Sequence, residues 1–213
     1  EIILPSLSQL KDALDELKNE VDQLVIQPQE AQLEATRVAL FQARLAWQAV
    51  QPFAFGPMLT HNLQGTFSIY PADVQQIERN IVEGTYDLNA ISNLDAKGFQ
   101  ALGYLLYESA EAETSNLMIE EPRQDYLVAI VQQMQENTHA ALTEWQEIVS
   151  TGIFSSVAAQ GTDAGSSVAM LVNAINQNLE RNLRDGKLAI PLGVRSLGIP
   201  IPEAGEAYFA GYS

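Results

Sequence analysis

Few side chains in this sequence have the type and spacing for chemistry. Glu136 and His139 stand three apart in a stretch with helical patterning, which puts a carboxylate and an imidazole one turn apart on one face. Such a pair is one quarter of a dinuclear carboxylate site, which also needs a second pair and two further glutamates. The chain has only 2 histidines, and His61 lies alone in a long connection. A solvated surface pair is therefore the favoured reading of Glu136 and His139, with His61 as the remaining candidate ligand for a metal. Glu108, Glu111, Glu113, Glu120 and Glu121 offer oxygens to a cation such as calcium. They lack the ordered Asp-Gly-Glu spacing of a calcium loop and read as a solvated acidic turn. Arg195-Ser196 lies in a stretch rich in glycine and proline, where an arginine can meet an anion in bidentate fashion. The plainer alternative is a surface arginine paired with one of the many acids. No Ser-His-Asp set and no glycine-rich phosphate loop following a strand is present.

The segment Lys97-Gly98-Phe99-Gln100-Ala101-Leu102-Gly103-Tyr104-Leu105-Leu106-Tyr107 is a different kind of candidate. Gln100 and Gly103 share a helix face. An amide can hydrogen-bond, but it is uncharged and a poor ligand for a transition metal. Gly103 has no side chain, and an interior helical glycine costs about 1 kcal/mol relative to alanine. Its presence suggests the close passage of another backbone or a ligand, or simply that nothing selects against it.

The elements that position these residues read as helices. Leu7, Leu10, Leu14, Leu17, Val21 and Leu24 alternate spacings of three and four, predicting an amphipathic helix from Ser6 to Ile26. A second follows from Gln29 to Val50, with Leu33, Leu40, Ala43, Trp47 and Val50 inward. Residues 52–70 read as a long apolar connection folded onto a core or a ligand. Pro71 suits the first turn of a third helix reaching Glu83. A fourth carries the Gln100 segment, from Lys97 to about Ser109. The longest begins at Pro122 and reaches Val149, with Tyr126, Ile130, Met134, Ala141, Trp145 and Ile148 inward. A last helix, capped by Thr162 or Asp163, carries Val168, Leu171, Val172, Ile175, Leu179 and Leu183 and stops at Gly186. Beyond Lys187 the density of proline and glycine argues against any helix. The expected fold is all-α: an up-down four-helix bundle in residues 1–118, then a second, incomplete helical half in 119–213 whose apolar stripes need cover from elsewhere.

Composition narrows the function. The 213 residues carry 11 basic and 27 acidic side chains, a net charge of −16, so the basic footprint of a nucleic-acid binder is missing. The absence of cysteine excludes disulfides and thiolate chemistry. No apolar run approaches the ~20 residues of a membrane span. A first residue that is Glu rather than Met suggests a processed or trimmed N-terminus.

The Gln100 segment resembles the signature helix of the imelysin-like family (the M75 peptidase-like group), whose pattern is Gly-x-His-x-x-Glu followed by an aromatic and two leucines. Gly98 and Tyr104-Leu105-Leu106 match. Gln100 stands at the histidine position and Gly103 at the glutamate position, so the metal-gripping pair is lost. Further resemblances occur in the family's order: Ala43-Arg44-Leu45-Ala46-Trp47, Phe53-Ala54-Phe55-Gly56-Pro57, Tyr70-Pro71-Ala72-Asp73, Lys187-Leu188-Ala189-Ile190-Pro191-Leu192-Gly193 and Glu206-Ala207-Tyr208-Phe209.

The resemblance implies two related helical bundles with the Gln100 helix near their interface. It also implies an exported bacterial envelope protein, periplasmic and often lipid-anchored upstream of the first residue, associated with iron or other metal uptake. It implies a non-catalytic binding component for a small ligand or metal. Any divalent metal or iron would be held weakly, because the motif is degenerate. Gly98, Gln100 and Gly103 would mark the cleft, with Glu206, Arg195 and Ser196 as further ligand contacts. Relatives extend beyond this chain, so further C-terminal helices or a second copy would complete the fold. The rival readings are a metallopeptidase-like hydrolase with ligands relocated to His61, Glu136 and His139, and a polysaccharide-binding or structural module using the aromatic residues of 53–70.

Overall fold

The computed structural model describes residues 2–107, 120–151, 161, 163, 165–206 and 208. All regular elements among them are helical. Helix α1 (Ile3–Ile26) turns through three residues into α2 (Glu30–Val50). A turn that short returns the chain antiparallel to itself. All six stripe residues of α1 are buried, from Leu7 through Leu24. Against α1 also packs the longest helix, α7 (Glu121–Ser150). Tyr126, Ile130, Met134, Ala141 and Trp145 of α7 join the same core as the α1 and α2 stripes.

The apolar connection contains more structure than the sequence predicts. After a single turn of 3-10 helix at Gln51–Phe53 come the short helices α3 (Pro57–Thr60) and α4 (Leu63–Phe67). Neither is long enough to show a periodicity; tertiary burial holds them instead. Phe55 and Met58 are buried, and both helices pack on α7. Phe67 stacks on Trp47 with ring centroids 4.8 Å apart. It also lies 5.5 Å from the Phe99 ring. Phe55 meets the edge of Trp145 at 5.5 Å.

Helix α5 (Val74–Glu83) starts three residues after Pro71, not at it. The Asp73 carboxylate accepts the Gln76 backbone N–H at 2.9 Å, and this cap fixes the start. Helix α6 (Gly98–Tyr107) carries the Gln100 segment and is clasped from several sides. Arg37 Nε on α2 donates to the Leu106 carbonyl at 2.9 Å, and Arg44 donates to the Phe99 carbonyl at the other end of α6. Glu78 on α5 accepts both the Tyr104 hydroxyl at 2.8 Å and Arg123 of α7 at 2.7 Å.

The last helix departs furthest from its sequence pattern. Helix α8 (Ser167–Gln177) begins at Ser166, whose hydroxyl accepts the Ala169 N–H at 3.2 Å. Of the two caps read from the sequence, Thr162 lies outside the described residues. The helix does not stop at Gly186: it widens into a π-helix, Asn178–Ala189. Gly186 serves close packing, since a Cβ there would stand 1.9 Å from the Tyr70 hydroxyl. The apolar stripe Val168, Val172, Ile175, Leu179 and Leu183 remains exposed, each residue between 36% and 64%.

Candidate functional site

A cavity of about 710 Å³ lies where α2, the start of α6 and the chain from Lys187 onward come together. Arg44, Leu45 and Gln48 of α2 form one wall. Their spacing places them on one face within a turn. Phe99 and Gln100 form the second wall, and Lys187, Leu192, three prolines, Glu206 and Tyr208 the third. A volume of this size accepts a small-molecule ligand.

Gly98 sets the entry of α6 into this corner. It has φ +70°, a conformation that favours glycine. A Cβ there would stand 2.5 Å from the Thr66 carbonyl and 2.6 Å from that of Phe67. The resulting close approach of α6 to α4 carries Gln100 into the cleft. Gln100 is 1% exposed, and its Nε2 donates to the backbone carbonyl of Glu206 at 2.7 Å. The amide thus ties the C-terminal coil to α6. Gly103 is buried on the same helix, but neither it nor Gly98 lines the cavity.

A polar network surrounds Glu206. Lys187 Nζ lies 2.9 Å from Glu206 Oε2 and donates to Gln48 Oε1 at 2.6 Å. Gln48 Nε2 donates to Glu206 Oε1 at 3.0 Å, and the Ser68 hydroxyl donates to the same oxygen at 3.2 Å. Beside this network, Tyr70 has its phenol pushed up to about 12, first by burial and then by the Glu206 carboxylate. Arg44 is 7% exposed, with its guanidinium 5.7 Å from the Phe99 ring centroid.

The other sequence candidates lie apart from this cluster. Arg195 is exposed, and its Nη2 donates to both oxygens of Asp185, at 2.8 and 2.9 Å. The arginine holds the Asp185 carboxyl below its usual range. Ser196 donates to the Ile199 carbonyl at 2.6 Å, closing a local turn. His61 meets Glu144 at 2.8 Å, and His139 meets Asp15 at 3.2 Å. Glu136 accepts from Gln132 at 2.8 Å. The acidic residues Glu108, Glu111 and Glu113 lie outside the described residues. Glu120 lies 3.6 Å from Arg123 in an ion pair. Among the described residues, no three His, Asp or Glu side chains gather in a group able to hold a metal ion.

Of the residues singled out from the sequence, Gln100 and Glu206 are brought together, along with the coil that carries Glu206. Arg44, Tyr70 and Lys187 lie in segments that resemble the family without standing out as site residues, and Gln48 and Ser68 carry no sequence signature. The available signal was the four-residue spacing of Arg44 and Gln48, and the isolated cation Lys187 ahead of an apolar, proline-containing run. A polar side chain facing a cleft looks, in sequence, like one facing water.

Helix α6 thus enters on Gly98, buries Gln100 two residues on and is tied through it to the C-terminal coil, in the segment that resembles the imelysin-like signature helix. The sequence model of that family (peptidase M75, imelysin) matches residues 3–213, and the chain belongs to the family. Iron-regulated protein A of Synechococcus elongatus is 23% identical over 185 residues, which are 87% of this chain and 49% of that protein. The crystal structure of an iron-regulated protein A precursor from Parabacteroides distasonis matches with a TM-score of 0.73 at 16% identity. It covers 99% of this chain and 65% of that one. The chain therefore spans about half the length of the curated relative. At such identity the structural likeness establishes the fold. No described helix is long and apolar enough to cross a membrane.

Proposed function

We propose that the protein is a non-catalytic binding component of the bacterial envelope, exported and acting in an iron-linked process. Its ligand site is the cleft between α2, α6 and the C-terminal coil. The names of the two relatives, both iron-regulated proteins, support the iron link. The family resemblance of the Gln100 segment supports the loss of a metal-binding pair. The observation that carries the reading is the bond from Gln100 to the Glu206 carbonyl at 2.7 Å. It uses the side chain at the motif position as a structural tie between the two walls of a ligand-sized cleft. The nearby carboxylate is already matched by Lys187, which lowers its capacity to grip a cation.

A relocated metallohydrolase site would need His61 and His139 to converge with a common set of acids. Each instead pairs with its own carboxylate. For glycan stacking the aromatic residues of 53–70 would need open faces, but Phe55 and Phe67 are buried and Phe53 and Tyr70 are half-buried.

Elemental analysis of purified protein, followed by titration with Zn²⁺, Fe²⁺ and Cu²⁺, tests the binding-component reading. The expected result is no tightly held stoichiometric metal. One firmly bound transition ion per chain, lost on Gln100→Ala, would replace this reading with a metalloprotein.

A further inference from the structure

The Gln100 amide has two polar atoms, and only one of them is used by the coil. A carbonyl oxygen accepts and cannot donate, so the bond to Glu206 fixes Nε2 on that side and turns Oε1 away from it. Among the described residues, no group donates to Gln100 Oε1. The side chain is 1% exposed, so this acceptor is shielded from bulk water. Unpaired polar atoms sealed inside the protein, such as Trp47 Nε1, form a separate set that does not include Gln100 Oε1. Gln100 lines the cavity, and its unused acceptor therefore opens on the cavity. A buried acceptor is costly to leave unmatched. A ligand that displaces water from it must bring a donor of its own.

The polar groups beside it are matched to one another. Glu206 pairs with Lys187 at 2.9 Å and accepts from Gln48 and Ser68, while Gln48 accepts from Lys187 at 2.6 Å. The rest of the wall is largely apolar. Leu45 is 49% exposed and Leu192 64% exposed, and both line the cavity beside Pro191 and Pro200. Isolated leucines exposed to this degree need no explanation. Two on opposite walls of one cavity form a seat for an apolar body. A carboxylate on that body would set oxygen against Gln100 Oε1, whereas an N–H or O–H would satisfy it.

We propose that the cleft takes a compact apolar molecule carrying one un-ionised N–H or O–H donor, which Gln100 Oε1 accepts. The body rests on Leu45, Leu192 and the prolines. This inference rests on the cleft being the binding site. Gln100 then serves twice: Nε2 holds the coil, and Oε1 reads the ligand. A buried acceptor rejects an analogue lacking the donor, because binding the analogue leaves that acceptor unpaired.

Calorimetric titration of the purified chain tests this with indole, which has an N–H donor, and 1-methylindole, in which a methyl group blocks it. The methyl adds apolar surface, so burial alone favours 1-methylindole. Indole is nevertheless expected to bind about fivefold more tightly. Gln100→Met removes the amide and should cancel or reverse that preference. The ratio of the two affinities is the readout, since a loosened coil weakens both compounds alike. The preference in the parent needs no substitution, so it can be read whether or not Gln100→Met keeps its coil in place. Leu45→Gln, at a half-exposed position, should weaken both compounds, whereas Val172→Asn on the exposed face of α8 should weaken neither. Far-UV circular dichroism confirms that each variant is folded. If 1-methylindole binds the parent as tightly as indole, or if Gln100→Met keeps the full preference, the donor class is wrong while the cleft remains a binding site. If Leu45→Gln leaves both compounds unaffected, they sit elsewhere, and both the ligand class and the cleft reading fall.

Discussion

Gly98 is the position where the backbone has least room to change. Its φ of +70° alone would cost an alanine about 1–2 kcal/mol. The Thr66 carbonyl, 2.5 Å from the ideal Cβ, adds a clash with backbone that cannot swing aside. Gly98→Ala is therefore expected to destabilise by at least about 2 kcal/mol, read as a lower urea midpoint; an unchanged midpoint would show that α6 enters some other way. Gln100→Ala acts differently. It deletes a buried donor and leaves the Glu206 carbonyl to find another partner, for a loss of about 1–2 kcal/mol. The loss falls on the coil: limited proteolysis should cut the segment after Lys187 sooner while the α1–α2–α7 core stays resistant. Equal sensitivity of parent and variant would remove the tie. The position of Gln100 was legible in sequence because it stands at the histidine position of the Gly-x-His-x-x-Glu pattern that the segment resembles. Its partner was not, because that partner is a main-chain carbonyl more than a hundred residues away, and a carbonyl leaves no mark in the residue letters.

Among the elements, the long helices were legible and the compact ones were not. The α1 stripe needs only its own spacing to be found, and all six residues are buried as that spacing predicts. Helices α3 and α4 are held by burial of Met58, Leu63 and Phe67, and no local period betrays so short a turn. The helix through Gly186 defeats a rule of punctuation: the glycine answers the close approach of the Tyr70 hydroxyl, not the end of the helix. The exposed stripe of α8 and its π-helical continuation is the element that most needs a partner. Between Gly165 and Glu206 the bases Arg181, Arg184, Lys187 and Arg195 balance the acids Glu180, Asp185, Glu203 and Glu206. This face thus escapes the general acidity that would keep copies apart. A contiguous apolar surface of this kind marks an interaction face. The chain is expected to self-associate at about 100 μM, a concentration suited to weak interfaces, with a light-scattering mass above the 23.3 kDa monomer. Val172→Asn combined with Leu179→Asn should restore the monomer and shift unfolding by less than about 0.5 kcal/mol per site. A parent that stays monomeric would show that the stripe tolerates water.

At the scale of the whole molecule, the core and the cleft respond together to alkali. Tyr126 is fully buried. Its hydroxyl donates to the Ala96 carbonyl and accepts from Asn80 at 2.9 Å, joining α5, the linker before α6 and α7. Burial pushes its phenol up to about 12, and Tyr70 at the cleft is raised to about 12 by burial and then Glu206. An unfolded tyrosine ionises near 10. Between those values the unfolded chain has released protons that the folded chain keeps, so the folded state binds more protons. Stability contributed by these phenols is therefore complete below pH 10 and is lost as pH rises toward 12. The net charge of −16 adds self-repulsion that further ionisation only increases. Urea midpoints measured at pH 9, 10.5 and 11.5 should fall steadily, with the cleft and the core failing over the same interval. Tyr126→Phe should lower the midpoint at pH 9 by removing two hydrogen bonds, yet flatten the fall above pH 10 because one titrating group has gone. Tyr70→Phe should flatten it too, with little loss at pH 9, since its hydroxyl makes only a long contact of 3.4 Å to Asn182. If neither variant changes the slope, the alkaline loss belongs to the general charge of the chain and not to these two buried phenols.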